Sequence, residues 1–117
     1  MTSTDTPIPA GLPALEAQVL EAASLLRQLG NDRRLLVLCR LAAEGEVTVG
    51  RLADSAGLSQ PALSQHLTRL REDGLVVARR QGTALHYRIA DPRVTQLLSA
   101  LHGIFCPMAP AAVEATQ

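Results

Sequence analysis

Apolar residues follow a helical period over most of this chain and switch once to strict alternation. Between 13 and 29, Leu15, Val19, Ala22, Leu26 and Leu29 recur at steps of 4, 3, 4 and 3. That spacing predicts one long helix with a narrow stripe suited to a helix–helix seam. Gly30 ends it, and Asn31 or Asp32 can cap a second helix over about 32–43, followed by Gly45. Thr48 can cap a short third helix, Val49–Ala56, closed by Gly57. Ser59 caps a fourth, with Pro61 in its first turn and Gly74 as its stop. The period then changes. The runs 75–80 and 84–89 are β-prone, the second alternates with Leu85, Tyr87 and Ile89 on one face, and Gln81-Gly82-Thr83 joins them. This predicts a hairpin. Asp91 and Pro92 open a last helix with Val94, Leu97, Leu98, Leu101 and Phe105 as its stripe.

The predicted order is four helices, two strands and a helix: a mainly α domain over 13–106 with a small β-hairpin. Residues 1–12 and 107–117 are rich in Thr, Pro and Ala without periodicity, and are expected to be a disordered arm and tail.

The third and fourth helices, joined by the tight Gly57-Leu58 turn, have the form of a helix-turn-helix. On the fourth helix Leu63, Leu67 and Leu70 fall within roughly 60° of arc. Pro61, Gln65, Thr68 and Glu72 lie opposite, flanked by Ser64 and Arg69. Ser, Gln, Thr and Arg are the side chains that major-groove base edges require, and the first turn offers free amides to a phosphate. The hairpin adds Arg79, Arg80 and Arg88 beside Gly82, a wing suited to phosphate contacts. Helix-turn-helix plus basic hairpin is a winged helix. The expected DNA-contacting set is Ser59, Gln60, Pro61, Ala62, Ser64, Gln65, Thr68 and Arg69 from the helix, with Arg79, Arg80 and Arg88 from the wing. One module makes few contacts, so a homodimer reading two half-sites of double-stranded operator DNA is expected, with the first and last helices as its seam.

Charge sharpens this picture. The 117 residues carry eleven Arg, no Lys and eleven acids, for a net charge of zero. Residues 59–90 nevertheless carry +3 against −3 elsewhere, so the cationic excess sits on the DNA-reading module. No apolar run is long enough to span a bilayer, and the N-terminus lacks the basic and apolar regions of a signal peptide. A cytoplasmic protein without membrane contact is expected. No nucleotide loop, Cys-x-x-Cys or catalytic pairing is present, and Ser64 and His66 do not face each other, so the chain does not read as an enzyme.

At this point the sequence resembles the ArsR–SmtB family of dimeric winged-helix repressors, over about residues 15–106. The matching stretches are Leu29-Gly30-Asn31-Asp32-Arg33-Arg34-Leu35, Thr48-Val49-Gly50-Arg51-Leu52-Ala53, and above all Ser59-Gln60-Pro61-Ala62-Leu63-Ser64-Gln65-His66-Leu67 with Leu70-Arg71-Glu72-Asp73-Gly74-Leu75-Val76. The resemblance implies an operator-bound repressor that releases DNA on sensing, with the fourth helix in the major groove.

The sensing chemistry turns on two cysteines. Cys39 lies within Leu36-Val37-Leu38-Cys39, which reads as buried, and Cys106 follows Ile104-Phe105. Each could be a small core hydrophobe. The metal-ligand patterns implied by the resemblance are missing. Val49–Ala56 holds no Cys or His, Asp91 is followed by Pro92-Arg93, and only His102 lies in the last helix. No metal site or cofactor is therefore expected, though ligands pooled across a dimer leave a metal sensor open. The positions and contexts of Cys39 and Cys106 resemble the SqrR/BigR-type branch, the reactive-sulfur sensors. That implies a polysulfide bridge between the two thiols, with persulfides or polysulfides as inducer. A direct disulfide, the chemistry of a peroxide sensor, is the alternative. It requires Cα atoms within about 7 Å, whereas each inserted sulfur extends the reach by up to about 2 Å.

Overall fold

A computed structural model describes residues 10–107. The expected arm and tail lie outside the described residues except for 10–12 and 107. The element order is α1 (Leu12–Ala17), α2 (Val19–Leu29), α3 (Asp32–Glu44), β1 (Val47–Thr48), α4 (Val49–Ala56), α5 (Gln60–Glu72), β2 (Val76–Gln81), β3 (Ala84–Ile89) and α6 (Pro92–Phe105).

The expected single helix over 13–29 is two. Gln18 leaves the helical region (φ −110°, ψ 16°), and its N–H bonds Leu15 O at 2.8 Å, one residue short of the α-helical partner. α1 buries no residue, so no packing holds the ladder straight across Gln18. α2 is anchored by Leu25 and Leu29.

Side-chain caps start the remaining helices as the sequence predicts. Asn31, rather than Asp32, caps α3 through Arg34 N at 3.0 Å. Thr48 caps α4, Ser59 caps α5 and Asp91 caps α6. Gly57 (φ 70°) and Gly74 (φ 75°) end α4 and α5 in the left-handed region that glycine enters without penalty. Each is followed by a leucine whose N–H reaches back into the helix, Leu58 to Ala53 O at 3.0 Å and Leu75 to Leu70 O at 2.9 Å. This is the Schellman closure. It sends the chain sharply from α4 into α5 and from α5 into the wing.

The hairpin is part of a three-stranded antiparallel sheet in the order β1-β3-β2. Val47 pairs with Tyr87 and Thr48 with His86, while β2 and β3 pair from Val76↔Ile89 to Gln81↔Ala84. β1 is not among the expected elements, because two residues carry no detectable alternation and Thr48 is also the cap of α4.

One core unites these parts: Leu25, Leu29, Val37, Leu38, Leu41, Val47, Leu52, Ala53, Ala56, Leu63, Leu67, Leu70, Leu75, Val76, Tyr87 and Val94. The chain holds one Tyr, one Phe and no Trp, and aliphatic packing accordingly does nearly all the work. Truncating a leucine such as Leu63, which is fully buried, costs about 2–5 kcal/mol. α6 lies over α3 and β3. It contributes only Val94 to the deep core.

Candidate nucleic-acid interface and the two thiols

α5 buries Leu63, Leu67 and Leu70 and turns the rest of its surface outward. Ser64, Gln65, Thr68, Arg69 and Glu72 line one open groove of about 450 Å³. Four of the expected DNA-contacting residues therefore stand together on one exposed helix face. Ser59, Gln60 and Pro61 are exposed at the first turn, and Ala62 is half-buried. The hydroxyls are not equivalent. Ser59 Oγ accepts from Ala62 N at 3.2 Å, which leaves its proton available to an anion. Thr68 Oγ1 donates to Ser64 O at 2.9 Å, so Thr68 offers outward only a methyl group and an acceptor.

A side-chain link absent from the sequence reading sets the wing against this helix. Arg71 Nη1 donates to Tyr87 Oη at 3.2 Å. Tyr87 is buried in the central strand, so the end of α5 is tied to the middle of the sheet. On the other side, the Gln28 amide donates to the Asp73 carboxylate and joins α2 to the end of α5. His66 sits half-buried on α5. Burial first, then the Arg34 and Arg33 guanidiniums, hold its imidazole below the ordinary value.

The three wing arginines have different fates. Strand alternation places Arg80 on the face of Leu85 and Tyr87, and Arg79 and Arg88 on the opposite face with His86. Arg79 is gripped by Glu46, Nε to Oε2 at 3.0 Å and Nη2 to Oε1 at 2.7 Å. Among the described residues neither Arg80 nor Arg88 makes an ion pair. The Arg79 hydrogen bond, with Arg88 and His86 adding, holds the Glu46 carboxyl below its usual value. Glu46 was not singled out from the sequence. Its partner lies 33 residues away, and only the β1–β3–β2 order brings them together.

Both cysteines are free thiols exposed to solvent. For Cys39 this corrects the expectation of burial. Val37, Leu38 and Leu41 form the core face of α3, and Cys39 points roughly 150° from the centre of that face at 100° per residue. Cys106 is the C-cap of α6, with its N–H bonded to His102 O at 2.8 Å. Among the described residues no group of three or more His, Cys, Asp or Glu side chains converges as a metal site would require. No helix among them is long and apolar enough to cross a membrane.

A second exposed surface is apolar. Leu15 is 51% exposed, Val19 49%, Leu20 86% and Leu26 56% on α1 and α2, and Ile104 is 67% and Phe105 76% exposed at the end of α6. Arg93 at the start of α6 lies 3.7 Å from Glu21 of α2, so the N-terminal end of α6 borders α2.

Comparison with known proteins agrees with this geometry. Residues 31–77 match the family model described as bacterial regulatory protein, arsR family. The biofilm growth-associated repressor of Agrobacterium fabrum is 43% identical over 95 residues, covering 81% of this chain and 80% of that protein. The crystal structure of the transcriptional repressor BigR from Xylella fastidiosa superposes with a TM-score of 0.76 at 41% identity, covering 80% of this chain and 95% of that one. Reduced HlyU from Vibrio cholerae superposes with a TM-score of 0.72 at 39% identity, covering 80% and 97%. With a helix-turn-helix, a basic wing and this degree of identity over most of its length, the chain belongs to the arsR family of winged-helix, DNA-binding transcription regulators.

Proposed function

We propose that this protein is a homodimeric repressor that leaves its operator when reactive sulfur species join Cys39 to Cys106. The observation that carries the reading is the pair of solvent-exposed thiols on α3 and at the cap of α6, two helices that pack against one another. The similar proteins from Agrobacterium and Xylella are named as repressors, and HlyU has been solved in a state described as reduced. The first fact favours a repressor and the second a thiol input.

The chemistry needs no cofactor. The Cys39 thiolate attacks the central sulfane sulfur of an organic trisulfide, forming one S–S bond and expelling one thiolate. The Cys106 thiolate attacks the same sulfur and expels the second. One sulfur remains between the two residues, both protein thiols are oxidised, and the trisulfide is reduced to two thiols. A longer bridge forms in the same way from a longer donor. Among the described residues no cluster of side chains supports the metal-sensing alternative.

The apolar surface of α1, α2 and α6 supplies the dimer. A second copy fits it because a two-fold axis presents the same apolar patch from both sides. DNA reading by α5 also gains a second half-site. A bridge between α3 and α6 then ties the helix that leads into β1 and the wing to the helix at the dimer seam. The spacing of the two reading heads changes and the operator fit is lost. Couplings of this kind amount to about 1–3 kcal/mol, or roughly 5–150-fold in affinity.

The test is fluorescence anisotropy on the promoter region of the protein's own gene, before and after an organic trisulfide. The wild type is expected to weaken within that range, while Cys39→Ser and Cys106→Ser bind as before and do not respond. A double serine variant that still responds rules out the thiol switch. A protein that responds to peroxide but not to sulfane sulfur is a direct-disulfide sensor.

A further inference from the structure

We propose that Glu46 governs the electrostatics of the wing by acting as an internal substitute for a DNA phosphate, withholding Arg79 from the nucleic acid. The proposal rests on membership of a DNA-binding family, and is independent of the sulfur switch.

The sheet register builds the arrangement. Thr48 pairs with His86, and His86 with Arg79, so these three form one row across the sheet. Glu46 immediately precedes β1, and its carboxylate meets the Arg79 guanidinium, whose strand face also carries His86 and Arg88. The contact is a two-point fork at 2.7 and 3.0 Å. An arginine offers a phosphate the same fork, so Glu46 and a phosphate compete for the same N–H groups. Arg79 is half exposed, close enough to solvent for the exchange to be possible.

The charge balance follows. Among the arginines and carboxylates of this face, Arg79 and Arg88 would give +2, and Glu46 lowers it to +1. Arg80, on the other face, makes no ion pair among the described residues. Each arginine that neutralises a phosphate raises affinity for every sequence alike and adds about 0.9 to the slope of log affinity against log salt. Holding Arg79 on Glu46 removes one such contact per subunit. The wing then works through Arg80 and Arg88, and sequence-blind binding is weaker than three wing arginines imply.

The test measures binding to a mixed-sequence duplex across a salt series, using the full chain. Glu46→Gln is expected to steepen the salt slope by about 0.9 per subunit, and the double variant Glu46→Gln/Arg79→Gln to return it close to wild type. In the presence of Glu46, Arg79→Gln is expected to flatten the slope less than Arg80→Gln. Circular dichroism and thermal melting confirm that each variant is folded. The proposal is overturned if folded Glu46→Gln leaves the slope unchanged or flattens it, which makes the pair a structural fastener. It is equally overturned if Arg79→Gln flattens the slope as much as Arg80→Gln. A wild type without salt-dependent binding would instead contradict DNA binding itself.

Discussion

Leu20 offers the sharpest test of the dimer surface. It is 86% exposed on α2, so in a monomer its replacement by Gln should alter stability by no more than about 0.5 kcal/mol. In the proposed dimer the side chain is covered. Full burial of a leucine contributes about 1.5–3 kcal/mol, and the 86% still available scales this to about 1–2.5 kcal/mol per copy. A two-fold interface uses the residue twice, giving about 2–5 kcal/mol, or roughly 30- to 5,000-fold in the dimer dissociation constant. Sedimentation equilibrium across a concentration series reads this shift, with circular dichroism to confirm unchanged helix content. A Leu20→Gln protein that dimerises like the wild type would refute the assignment of this face.

Other expectations follow from single contacts. Ser59→Ala removes the acceptor for Ala62 N and should cost about 1 kcal/mol, lowering the melting temperature by about 4–8 °C. No loss would mean that the cap is idle. For His66, both folded and unfolded chains are neutral above the ordinary value of 6.5, and the folded value lies lower. As pH falls below 6.5 the unfolded chain takes up its proton first, so stability drops until the folded value is passed. Melts at about pH 8 and about pH 5.5 should therefore show a smaller acid loss for His66→Gln than for wild type. Equal losses would count against the cause assigned here. Tyr87→Phe deletes the acceptor of Arg71 while keeping the ring. It should weaken DNA binding more than it lowers the melting temperature, since the bond sets the wing against α5. A fall in melting temperature without loss of binding would make it a packing contact only.

The parts of this fold legible in the sequence are those encoded locally. Asn31, Thr48, Ser59 and Asp91 cap helices through side chains acting three residues away or fewer. Gly57 and Gly74 announce their turns by identity alone. The α5 face was readable because Leu63, Leu67 and Leu70 leave little choice about which side is buried. What escaped depends on distant pairing. β1 is two residues long and exists because Tyr87 and His86 lie beside it. The Glu46–Arg79 and Arg71–Tyr87 contacts require a sheet order that no local period reveals. The break at Gln18 was hidden because the apolar spacing continues through it. Cys39 escapes for a different reason. It closes the apolar run Leu35–Leu38, and only its angle from the centre of the Val37, Leu38 and Leu41 face turns it outward. That correction favours the proposed chemistry, because a thiol that must meet a sulfur donor needs access to solvent.

The central claim is a covalent one, and peptide mass spectrometry tests it directly. Cleavage after arginine isolates Leu35–Arg40 with Cys39 and Val94–Gln117 with Cys106, because Arg34, Arg40 and Arg93 bound these segments. After treatment with an organic trisulfide under non-reducing conditions, the two peptides are expected to run as one species. Its mass should equal their sum less two hydrogens plus at least one sulfur, and a reductant should separate them. Two unlinked peptides from protein that has nevertheless released its DNA would contradict the account.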